Sequence, residues 1–485
     1  MTNDASEAEK VPKADAQGTV SRLTLFDNMY AHVGIVVGWL VEGQMDRKKV
    51  ETALDNVVSK WPMLAGRLEQ TSRKPDAYVV RTPATPYPPG YKTYQISVRT
   101  SERPISSYIP LPLPVASDVL PASLFMDDKQ KVPRSGREWV VMKAPLMYWH
   151  ITYFNQGEDN YSCIGVTFPH AVLDGLGISF VAHAVEAELL GKPWVIPSSP
   201  AGLGVQNKME ALLLDGVKEQ EEGKRPVVSD YHAAGLAGVW YVITYLLWTF
   251  WQERWHKSRS RLIIVPKKAY TKLVEDARLE TKLEGSSDVS ISTGDALAAF
   301  LFKSVFADDS NPRKRVHLTS LASLRRFYDN QLDEYPHNCI VPISYPMLTI
   351  SELSSMSIPS LACQFAKARK TFAEEEALEF YKVLKTAEKT GKPAMPYDLR
   401  ADENVTLSNV TIAKTVNIDW TGAGGGRTVC RYKTVLNELG VSFTNIVTVA
   451  GKLDDETLVL DVHFNQRKLA RLEAEVTKLI ADAGA

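Results

Sequence analysis

Residues 167–179 read TFPHAVLDGLGIS: an apolar run closes on Pro169, and His170, Asp174, Gly175 and Gly177 follow. The run before it, YSCIGVTF (161–168), is rich in β-branched and aromatic residues and predicts a buried strand. After Gly177, the residues Ile178, Val181, Val185 and Leu189 share one face at helical spacing, and Gly191 and Pro193 supply a stop. The stretch is therefore a strand-to-helix turn. A histidine at such a point, mostly neutral at pH 7, is placed for proton transfer. Pro169 fixes the backbone ahead of it, and the two glycines permit a tight turn or the close approach of another segment. The bland alternative is a histidine that caps the helix or fills the core.

Working outward, AHVGIVVGWLVE (31–42) predicts a buried strand, and Val50, Leu54, Val57 and Val58 a helix that stops before Pro62. Residues 82–122 are dense in proline and predict connections, not elements. In the second half RLIIVP (261–266), VHLTSLA (316–322) and NCIVPISYP (338–346) predict strands. DALAAFLFKSVFA (295–307) predicts a helix, 361–389 a long helical region, 444–464 a hairpin, and the C-terminal stretch an amphipathic helix. Strands and helices mix throughout, and two halves of similar composition suggest a duplicated architecture. The division expected is a disordered 1–18, an N-terminal half at 19–215, a crossover with an aromatic helix at 216–260 and a C-terminal half at 261–485.

A chain of 485 residues with 45% hydrophobic content buries a large core. Its 56 Lys and Arg nearly balance its 57 Asp and Glu, which argues against nucleic acid and points to a small-molecule partner. Cys163, Cys339, Cys363 and Cys430 lie far apart, with no CxxC pair, so neither structural zinc nor a disulfide framework is expected. His150, His183, His337 and His463 make no metal-ligand pattern with His170, and no GxSxG elbow supports a serine hydrolase. The polar N-terminus predicts a cytoplasmic protein. GAGGGR (422–427) fits no phosphate-loop pattern and predicts a flexible loop.

TFPHAVLDGLG resembles the HxxxD motif of the BAHD acyltransferases and of the wider acyl-CoA-dependent, chloramphenicol acetyltransferase-like superfamily. LTLFDNMY (23–30) and SKWPMLAGRL (59–68) are similar to that family's opening segments, SISTGDALAAFLFK (290–303) to its STxDALxA stretch, and LASLRRFYDNQLDEYPHN (321–338) to its arginine segment. NIDWTGAGG (417–425) stands where the family has DFGWG, and Ser408-Asn409-Val410 where it has a Ser/Thr-Ser-Trp stretch. His337 replaces the glycine before the family's asparagine. The order of these weak motifs is similar to that in divergent fungal members of secondary metabolism.

The resemblance implies an α/β fold of two chloramphenicol acetyltransferase-like domains with a channel between them. It implies acyl-CoA as co-substrate, no bound cofactor, no metal and no covalent intermediate. His170 becomes the general base. Asp174 becomes an anchor that faces away from the channel and pairs with Arg325, or else Arg326. Gly175, Asp419 and Gly422 take structural roles at the site, Ser292, Thr293 and Asp295 lie near the CoA arm, and Ser408, Asn409 and Trp420 line the channel. An ordinary helix N-cap is the alternative for Ser292 to Asp295.

The run AAGLAGVWYVITYLLWTFW (233–251) carries no charge over nineteen residues. A membrane span there would separate the two halves of the channel, so two readings stay open: a helix packed around the acceptor entrance, or an interfacial helix at 233–256 touching a membrane. The function expected is O-acyl transfer to a hydroxyl of an apolar natural product, such as a terpenoid, polyketide or lipid, by a monomer. N-acyl transfer, condensation with a carrier-protein thioester, and a non-catalytic binder of hydrophobic ligands are the alternatives.

Overall fold

The computed structural model describes residues 18–71, 78–154, 160–198, 207–227, 236–283, 289–306, 309–391 and 398–484; the expected disordered segment 1–18 falls outside them apart from Gly18. Strand Val33–Gly43, apolar at nearly every position, pairs antiparallel with Tyr161–Pro169 on one side and with Gly425–Asn437 on the other. Tyr148–Phe154 and Gln95–Ser101 complete a five-stranded sheet. A second sheet has eight strands and runs Ile340–Ser344, Arg315–Ser323, Glu403–Asn409, Ile446–Lys452, Leu458–Phe464, Arg259–Val265 and Ala116–Asp118, with Leu348–Thr349 beside Arg315–Ser323. A three-stranded sheet of Gly18–Arg22, Tyr78–Pro83 and Arg67–Gln70 stands apart.

The two large sheets trade strands. Gly425–Asn437 crosses from the second half of the chain to the edge of the five-stranded sheet, and Ala116–Asp118 crosses the other way to pair with Arg259–Val265. Between the sheets a core of Val36, Leu40, Phe125, Leu262, Tyr432, Ala450 and Val459 joins them. Gly38 and Gly165 face each other across neighbouring strands, and a Cβ on either would stand 2.2 Å from Phe125 atoms. Both positions therefore need glycine, because Phe125 already fills the space two side chains would take.

Two expectations need correction here. The proline-dense 82–122 region is more than connection: its prolines flank two strands, Gln95–Ser101 and Ala116–Asp118, and enter neither. The glycine run 422–427 is no loose loop either: Gly424 turns with φ +85°, and Gly425 begins the exchanged strand with its Cα side against Trp420 and Val41. The helical region 361–389 is two helices, Ile358–Thr371 and Glu374–Thr390, the second restarted where the Glu376 carboxylate accepts the Ala373 N–H at 2.7 Å. All four cysteines are buried and reduced.

Helix Leu236–Trp255 lies on the second sheet. Tyr241 accepts from Asn404 Nδ2 at 3.0 Å, Gln252 accepts from Asn465 Nδ2 at 2.9 Å, and the Tyr245 ring stacks on Phe443. Its opposite face holds Trp240, Ile243, Leu247, Phe250, Trp251 and Trp255, all exposed. Among the described residues no helix is long and apolar enough to cross a membrane.

Candidate active site

Strand Tyr161–Pro169 ends at Pro169, and His170 follows in the turn that leads to helix Gly175–Leu190. Its backbone is tied twice: the N–H donates to the Val33 carbonyl at 3.1 Å, and its own carbonyl accepts from Asn338 Nδ2 at 2.7 Å. The Tyr30 ring lies flat on the imidazole, with centroids 4.5 Å apart and planes 17° from parallel. Nδ1 is sealed from solvent with no partner on another residue. Burial pushes the pKa down to about 4; the Asp174 carboxylate works weakly against this, and Lys433 and His32 add to it. The ring is therefore neutral at physiological pH. Solvent still reaches part of it, so Nε2 is the nitrogen a substrate can meet.

Asp174 is the N-cap of the helix, its Oδ1 accepting from the N–H groups of Leu176 at 3.0 Å and Gly177 at 2.8 Å. Arg325, not Arg326, forms the fork on the same carboxylate, at 2.9 and 3.3 Å, and the Cys339 N–H adds a further bond at 3.3 Å. Arg325 gives its remaining donors to the carbonyls of Tyr335 and His337 and to Ser323 Oγ. Both side chains are buried and both Asp174 oxygens are already bonded, so the pair has nothing left to offer a substrate. Arg326 instead caps the carbonyl of Phe372 and lies over the Phe327 ring.

Segment 335–338 is held against the turn from several directions. A Cβ at Gly177 would stand 2.0 Å from the Pro336 oxygen, so only glycine lets the two segments touch. His337, in the place of a glycine, bonds through Nδ1 to the Val172 carbonyl at 2.8 Å. Asn338 donates from both N–H and Nδ2 to Asp27 Oδ1, at 2.8 and 2.9 Å, and Asp27 Oδ2 accepts from Thr24. Asp27 and Tyr30 thus give LTLFDNMY a task that its sequence did not reveal: one positions the asparagine under His170, and the other covers its ring.

Of the other residues singled out, Gly175 meets Val410 at 3.0 Å from an ideal Cβ, and Gly294 meets Asn409 Nδ2 at 3.5 Å. The end of strand Glu403–Asn409 therefore joins the start of helix Gly175–Leu190 to the start of helix Thr293–Phe306. Ser408 and Asn409 lie on that link, Ser408 partly and Asn409 openly exposed, and Ser292 and Thr293 are partly exposed beside it. Asp295 is a correction: it is buried, closes a capping box with Ser292, and forms a bidentate pair with Arg369 at 2.9 Å, so no oxygen is left for CoA. Trp420 is another: fully buried, it meets Trp39 edge-on at 5.4 Å and lines no channel. Asp419 and Gly422 hold the far end of the helix, where the Asp419 N–H bonds Glu186 and Gly422 leaves room for the Leu189 carbonyl. That end is about 22 Å from the His170 turn, so their structural role is not at the site. Among the described residues no group of His, Cys, Asp and Glu could hold a metal.

No family model matches the chain. An O-acyltransferase of Aspergillus ustus, pboC, is 21% identical over 267 residues, which is 54% of this chain and 52% of that protein; the match spans about half of the relative's length. The structure of F. graminearum TRI101 with coenzyme A and T-2 mycotoxin is similar with a TM-score of 0.61 at 13% identity, covering 95% of this chain and 98% of that one. Vinorine synthase is similar with a TM-score of 0.54 at 11% identity, covering 95% and 93%. With its mixed sheets and traded strands, the chain shares the α/β fold of these solved structures.

Proposed function

We propose that this protein is an acyl-CoA-dependent O-acyltransferase of the fungal secondary-metabolism type, acting on a hydroxyl of a fairly apolar natural product. The observation that carries this reading is His170: an imidazole kept neutral by burial, fixed at both backbone ends, and still open to solvent at one nitrogen. Nε2 takes the proton of the acceptor hydroxyl as its oxygen attacks the thioester carbonyl. The C–S bond then breaks and the imidazolium returns the proton to the departing thiolate. A base of this kind supplies about 10² to 10⁴ in rate. Asp174 and Arg325 keep the turn in place, and Ser292, Thr293, Ser408 and Asn409 lie where a donor arm could be met.

The O-acyltransferase name of the A. ustus relative and the coenzyme A held by the F. graminearum structure support this choice of donor. In this reading the halves 19–215 and 261–485 each supply a wall of the channel, with 216–260 as crossover. The enzyme is a cytoplasmic monomer, with no bound cofactor, whose exposed face of helix Leu236–Trp255 makes its contact with an internal membrane. The test is free-thiol release from acetyl-CoA and longer acyl-CoAs, followed by a mass-spectrometric transfer screen against hydroxylated and amino acceptors. Ester formation that requires His170 supports the reading. Amide products alone, or turnover only with a carrier-protein thioester, replace it with the corresponding alternative, and silence with every thioester favours a binder.

A further inference from the structure

The exchanged strand brings two cations into the interior, Arg431 and Lys433, two residues apart and hence on one face. Arg431 is buried, its Nε is sealed without a partner, and its guanidinium donates to no described residue. Lys433 donates to one hydroxyl, Thr448 Oγ1 at 2.9 Å. Thr448 sits directly opposite Asp461 in the hairpin of Ile446–Lys452 and Leu458–Phe464, so the carboxylate shares that wall. Yet among the described residues neither cation forms an ion pair with it.

A buried charge without a partner costs several kcal/mol. Lysine can escape the cost by losing its proton, whereas burial only brings Arg431 down to about 10, which leaves it charged at neutral pH. With Lys433 protonated, two cations face one carboxylate and leave an excess positive charge that the fold does not answer. The cluster is also near the base. His170 bonds to Val33, and Lys433 pairs with Val37 of the same strand, four residues or about 13 Å along it. Solvent reaches Lys433 and Asp461 in part, although each is surrounded by protein.

We infer that Arg431 and Lys433 form the anion-binding end of the acceptor site, taking a carboxylate, or an enol or phenol oxygen of similar acidity, while the acceptor's hydroxyl meets His170. This rests on the acyl-transfer reading of His170. The acceptor is then a hydroxy acid: an apolar body on the order of 10 Å long, as the strand spacing requires, with its acidic oxygen at one end and its nucleophile at the other. Asp461 keeps the pair from binding a dianion tightly, because a second negative charge has no cation left to meet.

The test is titration calorimetry of the full-length protein with benzoate and cinnamate, each against its neutral amide, with coenzyme A titrated separately. The acids bind at least tenfold more tightly than the amides, and Arg431→Met and Lys433→Met each erase that preference while coenzyme A affinity stays within twofold. Equal affinities for acid and amide overturn the proposal, as does failure of both acids to bind. A tenfold loss of coenzyme A affinity in the variants, without an acid preference in the parent, also overturns it and assigns the cations to the donor's phosphates. Should Arg431→Met fail to fold, Lys433→Met carries the test alone. Because binding needs no turnover, its failure leaves acyl transfer standing, and a silent thioester assay leaves the anion site standing.

Discussion

Asp174 with Arg325, and Arg431 with Lys433 and Asp461, are charges taken out of water in the same protein, and the fold completes only the first set. The Asp174 carboxylate accepts two helix N–H groups, two guanidinium N–H groups and the Cys339 N–H, and Arg325 gives its other donors to two carbonyls and the Ser323 hydroxyl. Arg431 gives its hydrogens to no described residue, and Lys433 has a single hydroxyl. Buried polar groups in folded proteins are nearly always satisfied, so the difference separates charge that belongs to the architecture from charge kept for something that arrives.

His170 belongs to neither set, and its removal has the largest effect on the comparison. His170→Ala lowers the rate of acyl transfer by about 10² to 10⁴, with an unchanged urea midpoint, because the base is lost while both charge clusters stay intact. A purified variant with full turnover removes His170 from the chemistry. Next comes the complete pair. Arg325→Met strands the Asp174 carboxylate and lowers stability by about 3 to 5 kcal/mol, and Asp174→Leu with Arg325→Met together recover part of that loss, since no charge is then left unpaired. Chemical denaturation of the two variants measures it, and a double variant no better than the single one breaks the account.

The incomplete cluster moves in the opposite direction. Arg431→Met removes a buried cation that has no partner, so the unliganded protein is as stable as its parent or more so, by up to about 1 to 4 kcal/mol. Melting curves without ligand check the sign. Destabilisation of the size expected for Arg325→Met would mean that Arg431 is structural, and the contrast between the clusters would be gone.

The sequence disclosed these regions unequally, for physical reasons. His170 and Asp174 stood out because a strand period gives way to a helix period within a few residues, while their roles and the Arg325 pairing came only with the resemblance to the HxxxD acyltransferases. Arg431 and Lys433 did not stand out, since in GGRTVCRYKTVLN the alternation is confined to Cys430–Lys433 and no long apolar run marks a buried strand. Its strand character comes from thirteen residues laid along Val33–Gly43, a tertiary fact. Trp420 and Asp295 were misplaced for a related reason: motif order locates a segment along the chain but not which way its side chains point. Asp27 and Asn338 are 311 residues apart, and no local pattern could have joined them.

The smallest effect expected is an absence of change. A histidine with the ordinary pKa near 6.5 would be about 97% protonated at pH 5 and would lose roughly thirtyfold in activity as a base between pH 8 and pH 5. Burial holds His170 near 4, so kcat/KM stays level across that range. Stability behaves otherwise. A folded-state pKa depressed below the unfolded value means that the unfolded chain binds more protons, so stability is full above about pH 6.5 and falls as the pH drops toward 4. His150 and His463, also brought down to about 4 by burial, add to this in the same direction. Glu403, held down to about 2 beside Lys468 and Lys314, loses its contribution lower still, as the pH falls below the usual carboxylate range. Rate and melting temperature must therefore part company between pH 6.5 and pH 5, the first level and the second declining. A rate that falls with an apparent pKa near 6.5 while the protein stays folded would place the titrating base in open solvent, and the desolvated histidine would no longer be the group that sets the reaction.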